Sequence, residues 1–435
     1  MPEIASTTDQ VFHKPEDVRA GTARVVADMR AIDMHTHLFP LEFGELSRWG
    51  LDDLLTYHYL VAEVMRSADI TAERFRALSR SAQADLIWDT LFVRNTPISE
   101  ATRGVVAVLT ALGLDPASPD LRAAREFFRG RQPQDHLSWV LDHAGVDVVV
   151  MTNDPFDPRE SELWKRQVSF DKRFHSALRL DPMLNDWTST CELLSTSGYP
   201  VSTVVDARAI ANARRFLDDW IERMSPLYLA VSLPDDFTWP EESPRGHLIH
   251  EVVLPVCREH NLPFAMMIGV RRGVNPALYD AGDGVGRADV STVHRLCRTH
   301  PDNRFLVTIL SRENQHELAV AARKFANLMP FGAWWFLNNP SIVSEITRQR
   351  LELLGATFVA QHSDARVLDQ LLYKWPHARR VVAEALADQY AGVIQNGRPV
   401  TLAEIKRDVA RLFVENFRRW TPLATASSAS PVSSS

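Results

Sequence analysis

Short, almost uninterrupted apolar runs recur along this chain at fairly regular intervals. The first opens at Ala31 and is closed by Phe39-Pro40; the others cover Val146–Met151, Phe174–Leu180, Leu227–Leu233, Phe264–Val270, Phe305–Leu310, Gly332–Leu337 and Thr357–Gln361. Each has the length of a strand and is apolar on both faces, as strands of a parallel sheet are. Helical spacing fills the intervals, for example at Ala207–Met224, Gly246–His260, Val290–Thr299, Asn314–Leu328 and Pro340–Leu354. Eight buried strands alternating with helices call for a closed parallel barrel. An open doubly wound sheet is the competitor, but no Gly-x-Gly-x-x-Gly follows an early strand. The expected fold is therefore α/β, a distorted (β/α)8 barrel of the TIM type.

One region breaks the alternation. From about Thr71 to Asp142 the pattern stays helical, which is too long for an ordinary strand-to-helix connection. It predicts a helical insertion after the first strand, at about residues 50–142. The expected organisation is a helical lead over 1–30, the barrel with its insertion over 31–423, and a Ser/Ala-rich tail over 424–435 that lacks a core-forming pattern and should be disordered. An amphipathic helix over Ile405–Trp420 is expected to cover the barrel.

Composition narrows the functional classes. With 435 residues and 45% hydrophobic content the chain can bury a large core. A net charge of -7 carries no basic surplus, which argues against a nucleic-acid partner. Cys191, Cys257 and Cys297 lie far apart with no Cys-x-x-Cys, a pattern that suits a reducing cytoplasm better than a disulfide framework or zinc knuckle. The N-terminus has no apolar core of a signal peptide, and no run approaches a membrane span. A soluble cytoplasmic protein without a membrane partner is expected; a homo-oligomer remains open.

A barrel places its chemistry at the C-terminal ends of its strands. Polar residues recur there: His35 and His37, Asn153-Asp154, Arg179 and Asp181, Arg271-Arg272, Asn338-Asn339, and Gln361-His362-Ser363-Asp364-Ala365-Arg366. His35 and His37 share one face of their strand. In a closed barrel the eighth strand lies beside the first, bringing Asp364 within reach of a metal held by the two imidazoles. Two neutral imidazoles and one carboxylate leave a divalent ion with a net positive charge, able to polarise substrate oxygens. Taken singly, His-x-His could be two surface histidines and Asp364 a helix cap. Their convergence favours the metal.

Several stretches carry a family resemblance. Met34-His35-Thr36-His37-Leu38, the segment Trp49–Arg66 with His58-Tyr59 at its centre, Phe264–Val270, Trp334-Trp335-Phe336-Leu337-Asn338-Asn339 and His362-Ser363-Asp364-Ala365-Arg366 resemble motifs of the uronate isomerase family of the amidohydrolase superfamily, in its divergent branch of shorter chains. The likeness runs from about residue 20 to 420. Met267 departs from the main branch, which usually carries a histidine there; a thioether is a poor ligand for zinc or manganese.

The resemblance implies interconversion of an aldohexuronate and its ketose, D-glucuronate with D-fructuronate or D-galacturonate with D-tagaturonate, on one divalent ion. Zinc is the first expectation, with manganese or cobalt as alternatives. Asp364 would open the sugar ring as a base. Tyr59 would move the proton between C2 and C1, with Arg366 nearby favouring its phenolate. Arg179 would clamp the substrate carboxylate, helped by His58 and the indole N–H of Trp375. Two other readings compete: a metal-dependent hydrolase or decarboxylase on the same barrel, and a sugar-acid binding protein without catalysis.

Overall fold

The computed structural model describes residues 10–423. The tail expected to be disordered lies outside the described residues.

Seven parallel strands pair in the order of the chain: β1 (Ala31–Thr36), β2 (Val146–Asn153), β3 (Phe174–Arg179), β4 (Leu229–Pro234), β5 (Phe264–Arg271), β6 (Phe305–Ile309) and β7 (Leu328–Pro330). Closure is completed by residues 359–365. On one side the Gly332 N–H donates to the Val359 carbonyl at 2.9 Å and the Val359 N–H to Pro330 at 3.2 Å. On the other, the Asp364 N–H donates to the His35 carbonyl at 3.1 Å and the His37 N–H to Ala365 at 2.8 Å.

A contiguous core fills the interior, with members from every strand: Ile32, Met34, Val150, Ala177, Ala230, Ala265, Met267, Leu306 and Met329, joined by Val359. Such a layer, drawn from the whole circumference, is what a filled parallel barrel requires. Each fully buried aliphatic side chain contributes about 1.5–3 kcal/mol relative to exposure. Met267 packs inside this layer, 1% exposed. The opposite faces of the strands, including Val149, Leu178, Val231, Met266 and Val307, pack against the surrounding helices in a second cluster.

Two expectations about the sheet need correction. The seventh strand is Leu328–Pro330, not Gly332–Leu337, and the helix before it is Gln315–Ala322 rather than extending to Leu328. Gly332 explains the break. It sits at φ +55°, and a Cβ there would stand 1.9 Å from Nδ1 of His362. The aromatic run that follows turns into one 3-10 turn, Trp335–Leu337. The eighth run, Thr357–Gln361, forms one bridge, Val359 to Phe331 just past the seventh strand, rather than a regular ladder. Its backbone is partly satisfied elsewhere: the Asn416 amide donates to the carbonyls of Ala356 and Phe358 at 2.8 and 2.9 Å, and the Ala360 N–H reaches Leu412 at 3.1 Å. The C-terminal helical segment therefore packs on the closing run as well as plugging the barrel, where Phe417 meets Tyr228 edge-on at 6.1 Å between ring centroids.

Between β1 and β2 the regular elements are helical, among them α1 (His58–Ser67), α2 (Arg80–Trp88), Glu100–Ala111 and Pro133–Ala144. After β7 comes Pro340–Leu354, and then the long helix α3 (Leu371–Gln395), which packs beside β1 and the closing run. Among the described residues no helix is long and apolar enough to cross a membrane.

Candidate active site

The pairing of β1 with β2 shifts register between Asp33 and Thr36. Irregularities of this kind at a barrel rim re-aim side chains. Here the result is that His35 and His37 converge, their ring centroids 5.6 Å apart and their planes nearly perpendicular. Asp364 arrives from the closing run with φ +50°, a left-handed conformation that a non-glycine residue enters only at a cost of about 1–3 kcal/mol.

Oδ1 of Asp364 lies 3.4 Å from Nε2 of His37 and 3.7 Å from Nε2 of His35. It has no hydrogen-bond partner although it is buried. Burial, the largest influence on both rings, pulls His35 down to about 3 and His37 down to about 4, so both are neutral near pH 7. Burial opposes ionisation of Asp364, but the facing imidazoles and Lys374 hold its carboxyl well below the usual range.

Two imidazole lone pairs and a carboxylate oxygen facing one another unbridged repel. Around a tetrahedral zinc, donors about 2.1 Å from the ion stand about 3.4 Å from each other. Among the described residues this is the group of three whose donor atoms all fall within 4.8 Å. The orphaned oxygen, the neutral rings and the spacing fit a divalent cation.

Hydroxyls fix the rings from behind. The Thr152 hydroxyl donates to the Thr36 carbonyl at 2.9 Å and lies 3.2 Å from Nδ1 of His37. The Tyr228 hydroxyl donates to the Met34 carbonyl at 2.6 Å and lies 3.4 Å from Nδ1 of His35. His362 presses on the other side of His35, ring centroids 5.3 Å apart, fully buried with both nitrogens unpartnered.

The donor triad opens into a cavity of about 220 Å³ that is lined by His35, His37, His58, Arg179, Ser232, Arg272, Asp280, Trp334, Trp335, Asp364 and Arg366. Its size and polar walls suit a small, highly oxygenated molecule. Three cations face it, each with a carboxylate. Arg179 is gripped by Asp181 through Nε at 3.0 Å and Nη2 at 2.7 Å, leaving Nη1 without a hydrogen-bond partner among the described residues. Arg272 pairs with Asp283. Arg366 reaches only the exposed Asp280, at 3.5 Å.

Sequence reasoning placed His35, His37, Asp364, Arg366, His58 and Arg179 around one site, and these residues do meet here. His58 packs among Tyr57, Tyr59 and Trp335, and burial keeps it neutral, so it can offer a hydrogen bond but not a charge.

Two expectations change. Trp375 is 1% exposed and donates its indole N–H to Oδ2 of Asp33 at 2.8 Å, so it is committed behind the metal strands rather than to the cavity. The phenolate expected at Tyr59 is also disfavoured. Burial, then Tyr57 and Asp364, pushes its hydroxyl well above the ordinary value, overriding any help from Arg366. Its ring stacks on Phe336 at 6.1 Å and lies 4.9 Å from that of Tyr57.

Thr152 and Tyr228 escaped sequence reasoning because only strand register sets them behind the histidines. Asp280 escaped because it lies in a kinked 3-10 segment, Pro276–Gly282, after β5.

No protein-family model and no curated protein matches the chain. Solved structures do. A uronate isomerase from Bacillus halodurans C-125 shares 54% identity, with 93% of this chain and 96% of that one covered at a TM-score of 0.92. A uronate isomerase from Thermotoga maritima (14% identity, 93% and 97% covered) and a glucuronate isomerase from Caulobacter crescentus (16%, 98% and 99%) each superpose at a TM-score of 0.74. At those lower identities the likeness speaks for the fold alone. The relation to the Bacillus protein over nearly the whole of both chains decides the matter: this chain belongs to the uronate isomerase family.

Proposed function

We propose that this protein interconverts an aldohexuronate and its ketose, either D-glucuronate and D-fructuronate or D-galacturonate and D-tagaturonate. The observation that carries the reading is the near full-length kinship with a uronate isomerase. The polar cavity with its three arginines agrees with a small anionic sugar. The same kinship sets aside the hydrolase, decarboxylase and pure binding readings.

His35, His37 and Asp364 would hold one divalent ion, zinc first, with manganese or cobalt accepting the same donors. When bound, such an ion supplies Lewis-acid polarisation of substrate oxygens. The chain's own residues do the rest. Arg179 offers its free Nη1 to the substrate carboxylate, and neutral His58 adds a hydrogen bond. Asp364, ionised throughout the physiological range, takes the anomeric hydroxyl proton and returns one to the ring oxygen, leaving the open-chain aldehyde. Arg366 faces the cavity as a fixed cation and stabilises the negative charge that builds on the enediol oxygens. Tyr59 carries the proton from C2 to C1, acting as a strong base in the small fraction of molecules where it is ionised, while the hydroxyl proton on O2 passes to O1 across the enediol. Three buried, unpaired cysteines agree with a reducing cytoplasm.

The test is turnover. Metal-stripped and zinc-reloaded protein is offered a panel of hexuronates, and ketose formation is followed. Ketose from at least one hexuronate, restored by metal, is expected; hydrolysis or CO2 release without ketose would overturn the reading.

A further inference from the structure

Asp33 and Lys374 are charged groups sealed in the core beside the metal strands, 0% and 3% exposed. Neither lines the cavity. Burying a carboxylate and an ammonium is costly, and an apolar pair of similar volume often stabilises a fold better. Their contacts give the pair a purpose.

Both converge on the peptide units flanking Ser363. Its N–H donates to Oδ1 of Asp33 at 2.8 Å. Its carbonyl, which belongs to the peptide leading into Asp364, accepts from Nζ of Lys374 at 2.8 Å and from the Asn338 amide at 3.2 Å. The second oxygen of Asp33 accepts the indole N–H of Trp375 at 2.8 Å. One step further on, the Asp364 N–H is tied to the His35 carbonyl at 3.1 Å. The backbone is thus held on both sides of the residue that sits at φ +50°. A disfavoured conformation of that kind persists only where its surroundings over-determine it.

We infer that Asp33, Lys374 and Trp375 form a positioning unit that fixes the backbone entering Asp364 and so aims its carboxylate at the two histidines. Asp33 precedes His35 by two residues on β1, while Lys374 and Trp375 are neighbours on α3. The unit therefore locks the two metal-bearing segments to one helix. Trp375 acts on the site through Asp33, not by touching substrate. These are positioning residues rather than catalytic ones.

The experiment compares Trp375→Phe, Asp33→Asn and Lys374→Met with the unaltered protein in zinc affinity by chelator competition, in kcat and KM for a hexuronate, and in thermal stability. Trp375→Phe removes the N–H and keeps most of the ring. It should weaken zinc binding about ten- to a hundredfold, the usual effect of removing an outer partner of a metal site. kcat should fall at least tenfold, with KM within twofold of the original. Asp33→Asn sets an amide N–H against a donor and should weaken zinc binding further. Adding Trp375→Phe to Asp33→Asn relieves that conflict and should recover part of the loss. Lys374→Met should act in the same direction and keeps the question answerable should Trp375→Phe fail to fold.

A raised KM with kcat and zinc affinity intact would make Trp375 a substrate contact and overturn the inference. So would lower thermal stability in all three variants with unchanged zinc affinity in the folded protein. The kinetic arm rests on the hexuronate reading, whereas the zinc arm does not. Zinc-binding protein that leaves every hexuronate unchanged would overturn the former reading alone.

Discussion

The Thr152 hydroxyl lies 3.2 Å from Nδ1 of His37 while donating its own proton to the Thr36 carbonyl at 2.9 Å. With that proton committed, the oxygen can only accept from the ring. His37 is thereby held as the Nδ1–H tautomer, its Nε2 lone pair directed at Asp364. Outer-shell partners of this kind commonly govern metal affinity. Thr152→Val keeps the shape and removes the acceptor, so zinc affinity should fall about ten- to a hundredfold in chelator competition. Thr152→Ser retains the hydroxyl and should bind zinc close to normally. Equal affinities in Thr152→Val and the unaltered protein would mean that the tautomer is set by something else.

The donor triad also has a pH signature. Protons and zinc compete for the same imidazole nitrogens. An ordinary histidine begins to lose that competition below about pH 6.5. Burial lowers His35 to about 3 and His37 to about 4, so the neutral, metal-competent form dominates down to about pH 4. Elemental analysis should find about one equivalent of a divalent metal at neutral pH. His35→Ala and His37→Ala should each lower it. Proton competition should erode zinc affinity mainly on the acid side of about pH 4, not between 7 and 6. Full metal content in the double variant would remove the site from this position.

The barrel was legible because a strand buried on both faces writes itself as an apolar run, and six of the eight runs became strands in the expected order. The misplaced seventh strand shows where this fails. Gly332-Ala-Trp-Trp-Phe-Leu is as apolar as a strand, yet Gly332 is needed at φ +55° against His362, and Trp334 and Trp335 after it line the cavity instead. The site residues were legible where chain spacing fixes them, as with His35, His37 and Asp364. Trp375 was misread because its position one helical step past a metal loop says that it is close, not which way its indole points. The ionisation of Tyr59 was misread because an arginine expected nearby, Arg366, says nothing of burial, and burial dominates a phenol's ionisation.

Arg179 is a partly spent cation. Asp181 takes two of its donors, and the Ser232 N–H in turn reaches Asp181 at 3.2 Å. What remains for substrate is Nη1, enough for a charge-assisted hydrogen bond to a carboxylate. Arg179→Met should raise KM for a hexuronate, the lost contact costing roughly 2–5 kcal/mol as for other buried charge pairs. It also leaves Asp181 unpaired, so a thermal melt must accompany the kinetics to separate misfolding from lost binding. A neutral aldohexose should remain a poor substrate for both proteins. Wild-type KM and kcat in a folded Arg179→Met would move the clamp to Arg272 or Arg366.

The sharpest remaining test falls on Tyr59. Burial and the neighbouring Tyr57 and Asp364 push its hydroxyl well above the ordinary tyrosine value. Below its pKa, the ionised fraction of a group grows tenfold for each pH unit. A proton carrier that must be ionised therefore makes the rate climb with pH, without a plateau in the neutral range. kcat/KM for a hexuronate should rise steadily from pH 7 to beyond 9, provided zinc stays bound. Tyr59→Phe keeps the ring stacked against Phe336 and removes only the hydroxyl, so folding and zinc content should survive. Its kcat should drop by about 10²–10⁴-fold, the range for a lost general acid–base group, and washout of a C2 deuterium label should fall in parallel. The alkaline rise should disappear with it. If the variant still exchanges the C2 label at the original rate, or if the unaltered enzyme is flat across that pH range, Tyr59 is packing, and Asp364 becomes the group that must carry the proton through both stages.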